Sequence, residues 1–167
     1  IIGADPMSLG VFTSPGELGA DIAIGEGQPL GNHLNYGGPL LGLFACRGER
    51  LLRQMPGRLI GMTMTRDGTS KAFTMVLQTR EQHIRREKAS SNICTNEALC
   101  AVAAAAHLAL MGPRGLEELG KRILANSSYA MRQLGGLDGL TVPLFEAQHF
   151  KEFVVRFDGT GLTASQV

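Results

Sequence analysis

An alanine-rich segment constrains the fold of this chain more than any other feature. From about Asn96 to Met111 the pattern predicts a helix, with Thr95 in the capping position at its start. Alanines at 101, 103, 104, 105, 106 and 109 give this helix almost no side-chain bulk. A helix with so little bulk can lie close against another helix or against a sheet. The sequence therefore predicts a layered fold around it.

Short apolar runs on the N-terminal side of this helix predict strands at 1–4, 21–24, 40–46, 58–65 and 71–77. The run at 40–46 is consistent with a central strand. Asp67-Gly68 lies between the last two runs, and this dipeptide is a strong hairpin signal. Residues 14–17 predict a helical turn and residues 48–54 a short helix. Together these elements indicate the α/β class.

The C-terminal part has a helix-and-strand pattern of its own. Gly112-Pro113 begins a second helix with an amphipathic period to Leu134, and Gly135-Gly136 ends it. Residues 140–142 and 153–157 are predicted strands. The predicted division places 1–112 in one domain and 113–167 in a linking helix and a second, small domain.

Composition excludes several function classes. The net charge of +1 gives no electrostatic case for binding nucleic acid or an anionic membrane. No run of 18 apolar residues and no signal-peptide pattern occurs. Three cysteines without a C-x-x-C pair favour free thiols in a reducing compartment, and the expectation is cytoplasmic. For Cys94, just before the helix, a structural role is favoured over a reactive thiol.

Residues 80–88 contain six charged side chains and His83. Only Ile84 could belong to an apolar helical stripe, so this is not an ordinary surface helix. Guanidinium groups are suited to holding carboxylates and phosphates by two-point contacts. A solvated, charged connection between two elements would account for the same composition.

Three sequence blocks carry a family resemblance: residues 19–31 continuing into 36–42, residues 53–61, and residues 77–95. In order and spacing they resemble the glycine decarboxylase family, the P-proteins of the glycine cleavage system, which depend on pyridoxal phosphate. The narrower resemblance is to subunit 1 of the two-subunit bacterial form, or to the N-terminal half of the single-chain form. The resemblance extends from about residue 5 to residue 134.

The resemblance implies a fold and a set of partners. The fold would be part of the large domain of a pyridoxal-phosphate-dependent transferase (aminotransferase-like, fold type I), with the start of the small α/β domain. The full enzyme would decarboxylate glycine and pass the aminomethyl group to the lipoyl arm of the H-protein, in the bacterial cytoplasm. The cofactor-bearing partner would be subunit 2, and this chain would be a fragment of a larger subunit.

The resemblance also implies that this chain lacks a cofactor site of its own. Compared with the sister subunit, the aspartate that holds the pyridinium nitrogen is replaced by Ile2, and the His-Lys pair by Gln28-Pro29. Isoleucine cannot bind a pyridinium, and proline cannot form an imine with the cofactor. The lysines of this chain do not replace the cofactor lysine: Lys71 follows the hairpin turn, Lys121 lies on the polar side of the second helix and Lys151 lies in a polar connection. Lys88 matches no cofactor lysine of the family. No catalytic residue, metal ligand or bound pyridoxal phosphate is expected on this chain alone.

Two groups of residues are candidates for contributing to the partner's site. In this superfamily the loop after the lysine position reaches the partner's cofactor phosphate, so Tyr36, Gly37 and Gly38 are candidate phosphate contacts. A Gly-Gly-Pro turn entering a buried strand would account for the same residues. Arg80, His83, Arg85 and Arg86 are candidates for contacting glycine's carboxylate or the lipoyl-bearing protein, and an intersubunit salt-bridge network is the alternative.

Two other functions remain open at the level of sequence. The chain could belong to a purely structural pseudoenzyme subunit that never approaches the partner's site. It could also belong to an independent pyridoxal-phosphate lyase or transferase that uses an unrecognised lysine.

Overall fold

The structure is a computed structural model that describes residues 1–57, 59–76, 86–89, 97–163 and 165–166. The described residues form two compact units. The first comprises Ile1–Ala4 and Pro15–Ala106, and the second comprises Asp5–Ser14 and His107–Val167. Strands and helices are mixed as expected for the α/β class. The domain assignment 1–112 and 113–167 stays a prediction.

The first unit contains a three-stranded sheet in the order β1-β2-β3, formed by β1 (Ile2–Gly3), β2 (Ile22–Glu26) and β3 (Gly42–Cys46). β1 and β2 are parallel, whereas β2 and β3 are antiparallel. The strand predicted at 40–46 exists, but β2 and not β3 is the central strand of this sheet. An apolar run indicates that the faces of a strand favour burial. It does not show whether the strand pairs with a neighbour along one edge or along both edges.

A short helix, α1 (Glu49–Leu52), leads to the predicted hairpin of β4 (Leu59–Met64) and β5 (Lys71–Val76). The two strands are antiparallel, and Leu59 pairs with Val76 at the open end of the hairpin. In the connecting turn Gly68 adopts a positive φ of 71°, as the Asp-Gly signal predicts. The hairpin is therefore confirmed.

The long helix α2 (Ala98–Gly135) contains both predicted helices. Its geometry is broken at Gly112, which has φ 60° and ψ −178° and precedes Pro113. Glycine tolerates this φ, and a proline next to it cannot donate the backbone hydrogen bond of a continuous helix. The expected cap, Thr95, lies outside the described residues.

Of the described helices, α2 alone has the length and mean hydropathy of a membrane span. The break at Gly112 divides it, and the part after the break carries exposed charge, including the Glu117–Lys121 ion pair. Apolar core helices of globular proteins meet the same length and hydropathy criterion. Length and hydropathy alone therefore do not assign a membrane role to α2.

In the second unit an N-terminal segment packs against the second half of α2. Residues Pro6–Gly10 form a 3₁₀ helix, whose N-terminus is capped by the Asp5 carboxylate accepting from the Met7 N–H at 2.9 Å. The rings of Phe12 and Phe150 meet edge to face with centroids 5.7 Å apart. The helical turn predicted at 14–17 is instead a hydrogen-bonded turn in which the Ala20 N–H donates to the Pro15 carbonyl.

The two strands predicted near the C-terminus are wrong as regular strands. The structure has a single antiparallel bridge between Thr141 and Arg156. Beyond it the Leu144 N–H donates to the Val154 carbonyl at 2.9 Å, so the two segments do run side by side. Pro143 lies between these contacts and has no N–H to donate, and the ladder is therefore interrupted.

Candidate functional site

The loop that connects β2 to β3 is closed at its base by one carboxylate. The Glu26 Oε1 accepts from the Gln28 N–H at 3.0 Å and from the Leu41 N–H at 2.9 Å. The Gly27 N–H donates to the Leu41 carbonyl at 2.6 Å. A Cβ at Gly27 would lie 2.7 Å from the Leu41 side chain and 3.1 Å from its carbonyl oxygen. Glycine at 27 is therefore required for the two ends of the loop to meet.

The first part of this loop is fixed against α2. The Gln28 side chain donates to the Asn32 carbonyl at 2.9 Å, and the Asn32 side chain donates to the Cys100 carbonyl at 3.3 Å. Leu30 and Leu41 are buried, with 5% and 8% of their surface exposed. A tertiary hydrogen bond and apolar burial thus hold the base of the loop in place.

The distal part of the loop carries exposed apolar groups on a strained backbone. Leu34, Tyr36 and Leu40 expose 75%, 111% and 57% of their surface. Asn35 and Tyr36 have positive φ values of 43° and 54°. Left-handed backbone at a residue other than glycine costs about 1–3 kcal/mol, and such strain is concentrated at functional sites. The loop therefore holds the Tyr36 ring outward at an energetic cost.

The two glycines after Tyr36 are not equivalent. Gly37 has a positive φ of 98°, whereas Gly38 has an ordinary extended φ of 166°. Their backbone amides already donate, from Gly37 to the Leu34 carbonyl at 3.0 Å and from Gly38 to the Asn35 carbonyl at 3.2 Å. The amides that the sequence proposes as anion donors thus have partners inside the loop. The exposed Tyr36 hydroxyl is the better candidate donor.

The positions where a cofactor would be held do not fit pyridoxal phosphate. Ile2 lies in β1, beside Ala23 of the parallel strand β2, and offers no acceptor for a pyridinium nitrogen. Gln28 and Pro29 follow β2 after Gly27, at the position where the resemblance implies the cofactor lysine, and neither side chain can form an imine. The geometry places these residues at adjacent strands, but their chemistry cannot hold the cofactor covalently.

Three of the lysines belong to elements other than the loop after β2. Lys121 is ion-paired with Glu117 on α2, and Lys151 is ion-paired with Asp5. Lys71 is exposed at the start of β5.

The charged segment is described only in its last part. Arg86 is exposed in a short 3₁₀ helix, Arg86–Lys88. Arg80, His83 and Arg85 lie outside the described residues, as does Cys94. No cluster of metal-binding side chains occurs among the residues that the structure describes.

Sequence reasoning missed the two side chains that fix the loop, Glu26 and Asn32. An acid at the end of a strand and just before a glycine was a usable signal for Glu26, because its carboxylate can accept from the following amides. Nothing local identifies Asn32, since its partner Cys100 is 68 positions away in the sequence. Only the tertiary structure reveals this contact.

The mixed α/β content of the described residues agrees with the family comparison. The model of the family "Glycine cleavage system P-protein" matches residues 1–166. The chain therefore belongs to the glycine cleavage system P-protein family.

Two relatives are named as probable glycine dehydrogenase (decarboxylating) subunit 1. The one from Staphylothermus marinus is 60% identical over 97% of this chain and 34% of its own length. The one from Aeropyrum pernix is 57% identical over 93% of this chain and 34% of its own length. These relatives are archaeal, so they do not support the expected bacterial origin.

A solved structure supports the same fold. The chain superposes on a crystal structure of glycine decarboxylase (P-protein) of the glycine cleavage system, in inhibitor-bound form, with a TM-score of 0.74 and 41% identity. The match covers 90% of this chain and 32% of that chain. The predicted fold, part of a pyridoxal-phosphate-dependent transferase, is thereby confirmed. The chain spans about a third of the length of the curated relatives it matches.

Proposed function

We propose that this chain is part of the glycine decarboxylase subunit that does not carry the cofactor lysine. The complete enzyme would decarboxylate glycine and transfer the aminomethyl group to the lipoyl arm of the H-protein, in the cytoplasm. One observation carries the proposal: Pro29 stands where the loop after β2 would need a primary amine, and Ile2 stands on the adjacent strand. This chain alone would be inactive.

Pyridoxal phosphate, when bound to the companion subunit, supplies the electron sink for loss of the carboxylate. The role of this chain is to place groups beside that site. Its loop between β2 and β3 has a fixed base and a strained, exposed distal part, which suits a segment that reaches toward a neighbouring chain. The Tyr36 hydroxyl would donate to the cofactor phosphate, with Gly37 and Gly38 shaping the backbone around it.

The charged segment would act at the same intersubunit cleft. Arg80, His83, Arg85 and Arg86 are proposed to face glycine's carboxylate or the approaching lipoyl-bearing protein. The exposure of Arg86 is consistent with this role, because its guanidinium is accessible to an anion. Alanine at Arg86 would then raise the KM for glycine or for the H-protein without altering subunit assembly.

The proposal is tested by locating the cofactor chemically. The full-length subunit containing this sequence is co-purified with its companion, loaded with pyridoxal phosphate and treated with borohydride, which fixes the cofactor to the lysine that holds it. Peptide mapping should find the label on the companion only. Label on Lys71, Lys88, Lys121 or Lys151 would contradict the proposal and favour an independent pyridoxal-phosphate enzyme.

A purely structural pseudoenzyme is the second candidate, and one observation favours it. The amides of Gly37 and Gly38 already have partners within the loop, as a self-contained turn requires. Tyr36→Phe separates the two functions in the complete enzyme. Loss of a hydroxyl bonded to phosphate should weaken cofactor binding by about 10- to 150-fold, since a hydrogen bond to a charged group contributes about 1.5–3 kcal/mol. An unchanged cofactor affinity would support the structural role.

A further inference from the structure

The side chain of Asn32 bridges the loop between β2 and β3 and the helix α2. Its Nδ2 lies 3.3 Å from the carbonyl oxygen of Cys100 and 3.5 Å from that of Gly27. Both neighbours are carbonyl oxygens, which accept and never donate, so the NH₂ group of the amide must face them. Cys100 is buried in the first turn of α2, with 6% of its surface exposed. One donor group thus connects the base of the loop to a buried helical position.

Gln28 sets the direction in which this side chain points. The Gln28 Nε2 donates to the Asn32 carbonyl at 2.9 Å, and the Asn32 N–H donates to the Gln28 carbonyl at 3.1 Å. The backbone of Asn32 is therefore held at its amide and at its carbonyl. Its side chain is directed at α2 from a fixed backbone, so the contact with Cys100 needs little further ordering.

The strained turn four residues later needs contacts outside itself. Asn35 and Tyr36 both have positive φ, and strain of this kind persists where the surrounding structure opposes its relaxation. The backbone bonds of the turn, from Gly37 to Leu34 and from Gly38 to Asn35, each span three residues. Such short bonds exist only while the left-handed conformation lasts. The conformation must therefore be imposed from the two ends of the segment 33–40.

The two ends are held by different side chains. At the far end the Glu26 carboxylate accepts from the Leu41 N–H at 2.9 Å, and Leu41 is buried. At the near end the Asn32 amide donates to the carbonyl of Cys100. Release of the near end would let Tyr36 leave the left-handed region and turn its hydroxyl away. A displacement of about 1 Å is enough to break a hydrogen bond, so the place of this hydroxyl depends on Asn32.

We propose that Asn32 is a positioning residue, which holds the Tyr36 hydroxyl within reach of the companion's cofactor phosphate. Asn32 acts through the loop and does not itself contact the cofactor. This inference rests on the proposed function, because it assumes the contact between Tyr36 and the phosphate. A net hydrogen bond is equivalent to about 2- to 13-fold in an equilibrium constant, and truncation of Asn32 should weaken cofactor binding by that factor.

Hydrogen exchange by rapid mixing tests the conformational step in the full-length subunit without cofactor. Asn32→Ala should accelerate exchange of the Gly37 and Gly38 amides about 2- to 13-fold, and leave the β2–β3 ladder within twofold. Asn126→Ala is the matched control, because it makes the same change at an exposed position of α2. It should leave exchange in the loop unchanged. Equal acceleration in the loop and in the ladder would show a general role in folding and overturn the proposal.

A double-mutant cycle tests whether Asn32 acts through Tyr36. The dissociation constant of pyridoxal phosphate is measured for the complete enzyme with Asn32→Ala, Tyr36→Phe and both changes. Asn32→Ala should weaken binding about 2- to 13-fold alone and less than twofold when combined with Tyr36→Phe, because the contact it positions is already lost. Asn32→Asp keeps the size but removes the donor, and should weaken binding at least as much as Asn32→Ala. A full effect of Asn32→Ala in the Tyr36→Phe background would overturn the proposal.

The same cycle separates failure of this inference from failure of the proposed function. If Tyr36→Phe weakens cofactor binding and both Asn32 variants leave it unchanged, the phosphate contact stands and the positioning role is overturned. If Tyr36→Phe has no effect, the phosphate contact is refuted and the positioning role with it. The assignment of the cofactor lysine to the companion is tested independently by borohydride mapping.

Discussion

Gly10→Ala should loosen the second unit, because the added methyl group would clash with the backbone of α2. A Cβ at Gly10 would lie 2.4 Å from the carbonyl oxygen of Leu116 and 3.0 Å from the backbone nitrogen of Glu117. Ordinary van der Waals contact begins near 3.4 Å, so the 3₁₀ helix and α2 would have to separate by about 1 Å. Both atoms belong to the backbone of a helix, and no side-chain rotation can relieve the clash.

Overpacking of this kind costs about 1–3 kcal/mol, because the interior is close-packed and the shift opens neighbouring contacts. The free energy of local opening should fall by that amount. Amide hydrogen exchange in the full-length subunit measures it directly. Protection of the amides from Met7 to Val11 and from Leu116 to Gly120 should fall about 5- to 150-fold.

Gly136→Ala is the matched control in the same unit. Its Cβ would meet the Gln133 carbonyl at 3.5 Å, an ordinary contact, and its φ is not positive. Protection should therefore change little in this variant. If Gly10→Ala is indistinguishable from Gly136→Ala, the close packing of the N-terminal segment on α2 is refuted.

Three further predictions concern the loop and the hairpin turn. Gly37→Ala should weaken cofactor binding by the complete enzyme by about tenfold, because left-handed backbone costs a non-glycine residue about 1–2 kcal/mol. Gly38→Ala is the control and should leave cofactor binding unchanged, because Gly38 has an extended φ and open space around it. Glu26→Ala removes the acceptor of two backbone amides and should accelerate proteolysis between residues 31 and 40; unchanged cleavage would contradict its anchoring role. The Thr65 hydroxyl, and to a smaller extent the Thr69 amide, hold the pKa of Asp67 below its ordinary value of 3.8. The ionised carboxylate therefore stabilises the native hairpin above pH 3.8. This contribution is lost as the pH falls through the lowered pKa. Thr65→Ala should move the Asp67 pKa upward in a carbon-detected NMR titration, and an unchanged midpoint would contradict the assigned cause.

Local sequence signals were sufficient to predict most of the helices and strands. The Asp67-Gly68 turn placed the β4–β5 hairpin, and Gly112-Pro113 placed the break in α2, because both depend on backbone preferences of the residues themselves. Prediction failed near the C-terminus, where Pro143 interrupts a pairing that the apolar pattern indicates. The pattern reports which residues favour extended structure, and it does not report whether a partner can complete the ladder.

The candidate site also shows that some features follow from residue identity and others depend on the folded conformation. The resemblance predicts that Ile2 and Pro29 stand where the cofactor would be held, and neither side chain can bind it covalently. The sequence also identified the loop and proposed three phosphate contacts in it, the Tyr36 hydroxyl and the backbone of Gly37 and Gly38. The pairing of these two amides with the Leu34 and Asn35 carbonyls depends on the conformation of the loop, which composition does not determine.

The sequence by itself determined the family, the β4–β5 hairpin and the break in α2, because these depend on residue identity and local backbone preference. It also predicts that no lysine stands where the cofactor would be held. The tertiary structure decided which strand is central and how Asn32 joins the loop to Cys100. Those properties depend on contacts between residues far apart in the chain. Such contacts are set by packing, and no local pattern encodes them.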